Sequence, residues 1–117
     1  MISNGIDLVK IDRFKDLINN NRFMMDNFNE REISYINNNI ETLAGMYAAK
    51  EAFLKSIKKG INDYSLKDIE IVHDSNRAPS FVFYNELSNI DTSDVSLSIS
   101  HDGEYAIASV LFLNRVI

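Results

Sequence analysis

Asp7, Glu51 and Lys55 are the side chains whose types and spacing point most directly to chemistry. Asp7 follows Gly5-Ile6 in a segment that reads as a strand. A carboxylate at a buried strand position is costly unless it is paired or binds a metal. Glu51 and Lys55 lie four apart, so on a helix they share one face. Two acids delivered by separate elements make a common Mg²⁺ arrangement when a phosphate supplies further oxygens. Lys50, Lys55, Lys58 and Lys59 cluster toward the end of the same segment. They suit the negative end of a helix dipole, and they also make a local cationic site suited to a diphosphate. Each residue has a plainer explanation. Glu51 and Lys55 could be an exposed ion pair worth about half a kcal/mol or less. Asp7 could close a solvated strand end. His101, beside a tight turn, could be an idle loop histidine, and so could His73.

The elements that must position these groups are readable from periodicity. Residues 1–11 form a loosely alternating strand, with Gly5 at a bulge or a close backbone approach. Residues 12–24 read as a helix. Asn29-Glu30-Arg31-Glu32 resembles a capping box that opens a short helix through Ile33 and Ile36. The clearest element is a helix over 41–59, carrying Leu43, Met46, Tyr47, Phe53, Leu54 and Ile57 at helical spacing. Asn39 is placed to cap it and Gly60 to end it. Beside Glu51 and Lys55, the small residues Ala44, Ala48 and Ala52 leave room for a ligand or a backbone. Residues 68–73 and 80–84 read as strands around a turn at 74–76. Val95, Leu97 and Ile99 alternate with serines, as in a strand with one buried face. Residues 106–113 are apolar on both faces, which predicts a central strand, and Asp102-Gly103 predicts a hairpin turn. The fold class expected is α+β, an antiparallel sheet packed on a long central helix.

The 117 residues suit one domain spanning 1–117. A domain this small exposes much of its surface, so self-association is a natural way to bury more. With no cysteine, there is no disulfide framework, thiol nucleophile or Cys-based zinc site. The net charge of −5 gives no basic footprint for nucleic acid, so none is expected as a partner. It also means that any anionic ligand needs local basic patches. No apolar run is long enough to span a membrane and no signal peptide is read, so the expected location is cytoplasmic. No Gly-rich phosphate loop, HExxH or GxSxG is present.

Three segments together resemble the holo-acyl-carrier-protein synthase family of phosphopantetheinyl transferases. The first runs from Gly5-Ile6-Asp7-Leu8 to Arg13. The second is Ala48-Ala49-Lys50-Glu51-Ala52-Phe53-Leu54-Lys55. The third is Val95-Ser96-Leu97-Ser98-Ile99-Ser100-His101 followed by Glu104-Tyr105-Ala106. They stand in family order and span essentially the whole chain. The resemblance implies transfer of 4′-phosphopantetheine from coenzyme A to a serine of apo-acyl carrier protein, in fatty acid biosynthesis. It implies Asp7 and Glu51 as Mg²⁺ ligands beside the coenzyme A diphosphate, and Lys55 on the phosphates. It places His101 near the coenzyme and Arg13 on the carrier-facing helix. It also implies a homotrimer that holds coenzyme A between neighbouring subunits.

Two places depart from the family pattern. Its Gly-[Thr/Ser]-Gly after the helix is Lys58-Lys59-Gly60 here, and its Gly-Lys/Arg-Pro turn is Arg77-Ala78-Pro79. Lys58, Lys59, Gly60, Arg77 and Pro79 are carried as coenzyme-binding candidates with Lys55 and His101. Glu51, Lys55 and His101 are the catalytic candidates. The alternatives are a phosphodiesterase-like protein that releases phosphopantetheine to water and a non-catalytic coenzyme A-binding protein.

Overall fold

The computed structural model describes residues 1–115. Strand β1 (Ile2–Lys10) leads through a 3₁₀ turn at Ile11–Arg13 into three short helices, α1 (Phe14–Leu17), α2 (Asn21–Asn27) and α3 (Glu30–Ile36). The long helix α4 (Ile40–Ser56) follows. Strands β2 (Ile69–His73), β3 (Pro79–Phe83), β4 (Val95–Asp102) and β5 (Tyr105–Leu113) complete the chain. An antiparallel sheet of order β1-β5-β4 packs one face on α4, and β2 and β3 form a separate antiparallel pair. This is the α+β architecture expected, with β5 central as its apolar faces require.

α4 starts where the Asn39 side chain accepts the Thr42 N–H at 3.0 Å, which satisfies one of the free donors of the first turn. From Leu43 to Ser56 every residue is buried except Glu51 and Lys55. The helix is therefore the core of the molecule, with one polar window. Phe53 joins the two sheets, its ring 4.6 Å from Phe83 and 6.4 Å from Phe112. Burying such a side chain contributes about 2 kcal/mol.

The small residues of α4 make room for a strand rather than for a ligand. A Cβ on Gly5 would lie 1.9 Å from the Ala52 carbonyl oxygen and 2.7 Å from the Ser56 nitrogen. β1 thus crosses α4 with backbone against backbone. The β1–β5 register is unbroken from Ile2–Leu113 to Lys10–Tyr105, so Gly5 marks a close approach and not a bulge.

Three boundaries differ from expectation. The helix over 12–24 is broken into pieces at 18–20, because Asn20 accepts the Phe23 N–H and caps α2. Asparagine favours that local bond over continuing a helix. α4 ends at Ser56 rather than Lys59. Lys58 takes a left-handed conformation, φ 61°, while the Lys58 and Lys59 N–H groups bond the carbonyls of Lys55 and Leu54. That is a Schellman ending with lysine where glycine is usual. The β4–β5 loop is Gly103-Glu104, since Asp102 pairs with Tyr105. Gly103 has φ 58°, which a glycine adopts without strain.

Candidate active site

Asp7 lies on the inner face of β1, opposite Ala108 on β5, and is only 6% exposed. Strand alternation sends Gly5, Asp7 and Val9 inward together, so an acid is carried into the sheet–helix seam. Its Oδ1 accepts from the Lys55 Nζ at 2.8 Å, and that Nζ also donates to the Ile6 carbonyl at 3.1 Å. Lys55 is therefore tied to β1, and the simple i,i+4 pairing with Glu51 is replaced by a bond across elements. The Asp7 Oδ2 is buried and has no hydrogen-bond partner. Nor is Asp7 a solvated strand end.

Glu51 sits half-buried in the polar window of α4. Burial pushes its carboxyl above the usual carboxylate range, and the charge of Asp7 adds to the shift. A hydrogen bond from the Tyr47 hydroxyl, with the charges of Arg13 and Lys55, works in the opposite direction. The Tyr47 phenol is itself pushed up to about 12, chiefly by burial and then by the Glu51 charge. Two acids that feel each other, one with an orphaned oxygen, fit a divalent cation. Among the described residues no group of three or more metal-ligating side chains forms. Two protein carboxylates with the remaining positions left to water and phosphate is the pattern suited to Mg²⁺.

The lysine cluster does not hold together as expected. Lys50 is fully buried and points away from it. Its Nζ donates to the carbonyls of Asn27 and Leu66 at 2.8 Å and to Glu32 Oε1 at 2.9 Å. Burial lowers its pKa while Glu32 counters the shift. Lys58 and Lys59 stay at the exposed end of α4, where Lys58 lines a cleft of about 450 Å³ with Lys55 and the first residues of β1. The N–H groups of 58 and 59 close the helix, and that of Gly60 donates to Asp63 Oδ2 at 2.7 Å. This stretch can thus meet an anion with its ammonium groups but not with its backbone.

The remaining candidates form a second group. His101 Nδ1 lies 3.0 Å from Glu41 Oε2, at the start of α4. Arg77, with φ 65°, and Pro79 flank the same place, where two clefts of about 410 and 220 Å³ share Tyr35, Glu41, Thr42, Arg77 and His101. His73 stacks on Tyr35 at 3.7 Å, and burial lowers its pKa, helped by Arg77. Neither cleft is lined by Asp7, Glu51 or Lys55. Sequence reading missed Tyr35, Glu41 and Tyr47. The spacing of Tyr47 and Glu51, four apart on a helix, was the available signal for one of them.

Residues 3–110 match the model of the 4′-phosphopantetheinyl transferase superfamily. A holo-[acyl-carrier-protein] synthase of Finegoldia magna is 40% identical over 112 residues, covering 93% of each chain. The crystal structure of the Helicobacter pylori holo-[acyl-carrier-protein] synthase in complex with coenzyme A is 34% identical. It covers 94% of this chain and 97% of its own, with a TM-score of 0.81. The Neisseria meningitidis synthase structure is 29% identical, covers 97% and 100%, and has a TM-score of 0.83. With an acid pair, a lysine and a helix–sheet seam arranged on that fold, the chain belongs to the 4′-phosphopantetheinyl transferase superfamily.

Proposed function

We infer that residues 1–117 act as one Mg²⁺-dependent domain that moves 4′-phosphopantetheine from coenzyme A to a serine of apo-acyl carrier protein. The observation that carries this reading is the buried Asp7 with its orphaned Oδ2, beside Glu51 and Lys55, in a chain of this family. The carrier serine hydroxyl attacks the β-phosphorus of coenzyme A. The bond from that phosphorus to the bridging oxygen breaks, and 3′,5′-ADP leaves with the oxygen. Lys55 has three N–H donors, of which Asp7 and Ile6 take two, and the third is left for phosphate. A fixed cation there opposes the charge that grows on the phosphoryl oxygens. Glu51 is the candidate acceptor of the serine proton. Asp7 and Glu51 would hold Mg²⁺, which supplies neutralisation of the diphosphate charge.

His101, Arg77 and Pro79 lie apart from the acid pair within one chain, which favours a coenzyme site completed by a neighbouring subunit. The outer face of β1 and β5 supports assembly. Ile2, Ile6, Leu8, Leu111 and Leu113 stand side by side there and are exposed, Ile6 at 52% and Leu8 at 60%. A bare apolar face of this kind marks an interaction surface, and the reading makes it the homotrimer contact. No described helix is long and apolar enough to cross a membrane. The reading places the protein in the cytoplasm, in fatty acid biosynthesis, with Lys58 and Lys59 meeting coenzyme phosphates through their side chains.

The test is one incubation with coenzyme A, Mg²⁺ and apo-carrier, read by mass spectrometry. A carrier heavier by one phosphopantetheine is expected. Free phosphopantetheine with unmodified carrier identifies a phosphodiesterase, and no change in either identifies a binding protein.

A further inference from the structure

Glu41 is an acid that no step above uses, and it stands where an acid is least expected. Two clefts share it with Arg77 and His101, both coenzyme candidates, and among their lining residues it is the one carboxylate. A carboxylate repels a phosphate, so in a cleft for an anionic coenzyme it is a cost unless it acts on a neighbour. Its Oε2 lies 3.0 Å from His101 Nδ1. Arg77 lines the same clefts and has no ion-pair partner among the described residues, so its guanidinium is left for an anion.

The fold itself brings Glu41 to His101. Glu41 and Gly45 are four apart and share a face of α4, while Ile99 and His101 are two apart and share a face of β4. A Cβ on Gly45 would lie 2.8 Å from Ile99 Cγ2, so the missing side chain lets the start of α4 close on the end of β4. The next pair along these two faces is Glu41 and His101.

We propose that Glu41 is a positioning residue, which keeps the proton of the His101 ring on Nδ1 and leaves Nε2 as the nitrogen that meets the coenzyme. An ionised carboxylate only accepts. It therefore decides which ring nitrogen carries the proton, and with it which nitrogen the ring presents elsewhere. Both side chains are half-exposed, so the pair adds little to stability. What it supplies is orientation. If Glu41 were only a charge in the first turn of α4, suited to the helix dipole, the state of the His101 ring would not depend on it.

This role rests on the reading that His101 meets coenzyme A, and the experiment separates the two. The chain has two histidines, so ring ¹⁵N labelling gives two sets of signals, with His73 as the reference. Spectra of the unaltered protein and Glu41→Gln are recorded at about pH 9, well above the ordinary titration range of an imidazole. KM for coenzyme A and for apo-carrier is measured for both, and for His101→Ala. The His101 proton is expected on Nδ1 in the unaltered protein. In Glu41→Gln, whose amide can donate as well as accept, it should redistribute toward Nε2. The KM of that variant for coenzyme A should rise by about tenfold, with KM for the carrier unchanged. A proton on Nε2 in the unaltered protein overturns the role, as does a His101 signal that is the same in both proteins. A KM for coenzyme A that stays level in Glu41→Gln also overturns it, and one that falls marks a carboxylate that merely repels the ligand. Normal KM and kcat in His101→Ala overturn the reading that His101 meets the coenzyme, and the role of Glu41 goes with it.

Discussion

At Glu51, burial and the charge of Asp7 both oppose ionisation, so the folded chain binds a proton there more tightly than the unfolded chain does. Such a group favours the fold fully below the unfolded carboxylate range. That contribution is lost as pH rises through the raised folded value. With metal chelated, Glu51→Gln should therefore melt higher than the unaltered protein at about pH 7, and the gap should close at about pH 4. Thermal scans at the two pH values check it, and a constant gap counts against the electrostatic account. Lys58 carries a different burden. A non-glycine residue in the left-handed region costs about 1 kcal/mol relative to glycine. Lys58→Gly should stabilise the chain by about that much in urea titrations. Lys58→Gln/Lys59→Gln should instead raise KM for coenzyme A by about tenfold, the equivalent of about 1.4 kcal/mol of phosphate binding. An unchanged KM would leave both lysines as helix-end charges.

Between elements, the tightest dependence is β1 on α4. Gly5→Ala puts a carbon against the Ala52 carbonyl, which is backbone and cannot swing aside. Loss of about 4 kcal/mol or more is expected, enough to show as insoluble or unfolded protein. Recovery of Gly5→Ala as a normally folded chain would mean that the strand can lift off the helix. Lys50→Met strands the buried Glu32 and should cost about 3–5 kcal/mol, whereas Lys50→Met/Glu32→Gln removes both charges and should cost less. The sequence carried a large part of this architecture. α4, its Asn39 cap, the Asn29–Glu32 capping box and the central β5 all follow from local pattern, and each is present. The inward turn of Asp7 is a matter of strand parity. The Lys55–Asp7 bond joins residues 48 apart, and no local spacing encodes it. Lys50 reads as part of the cationic cluster because its burial beside Glu32 depends on α2, α3 and the 57–68 segment closing over the pair. The break at 18–20 was missed because apolar spacing continues through it, while the Asn20 side chain decides the backbone.

For the whole molecule, the bare outer face of the β1-β5-β4 sheet sets the terms. Leu8→Lys should place a charge in the proposed trimer contact and lower the mass seen by light scattering from three chains to one. Retention of the trimer would move the contact elsewhere. Docking of an acidic carrier is the other long-range matter. Lys15 and Arg22 are paired with Asp12 at 3.5 Å and Asp26 at 3.7 Å, both exposed, and Arg13 lies over Phe14. Such surface pairs are weak and yield to salt. KM for carrier should rise with ionic strength, and Arg13→Ala should raise it more than KM for coenzyme A. The separation of His101 from Asp7 within one chain has a genetic consequence. If each coenzyme site borrows its histidine from a neighbour, a copy damaged at Asp7 still lends a sound His101, and a copy damaged at His101 still offers a sound Asp7. Random mixing of the two defective chains then rebuilds about a quarter of the sites in a closed ring of head-to-tail contacts. Two alleles that each fail alone would sustain growth when they share a cell.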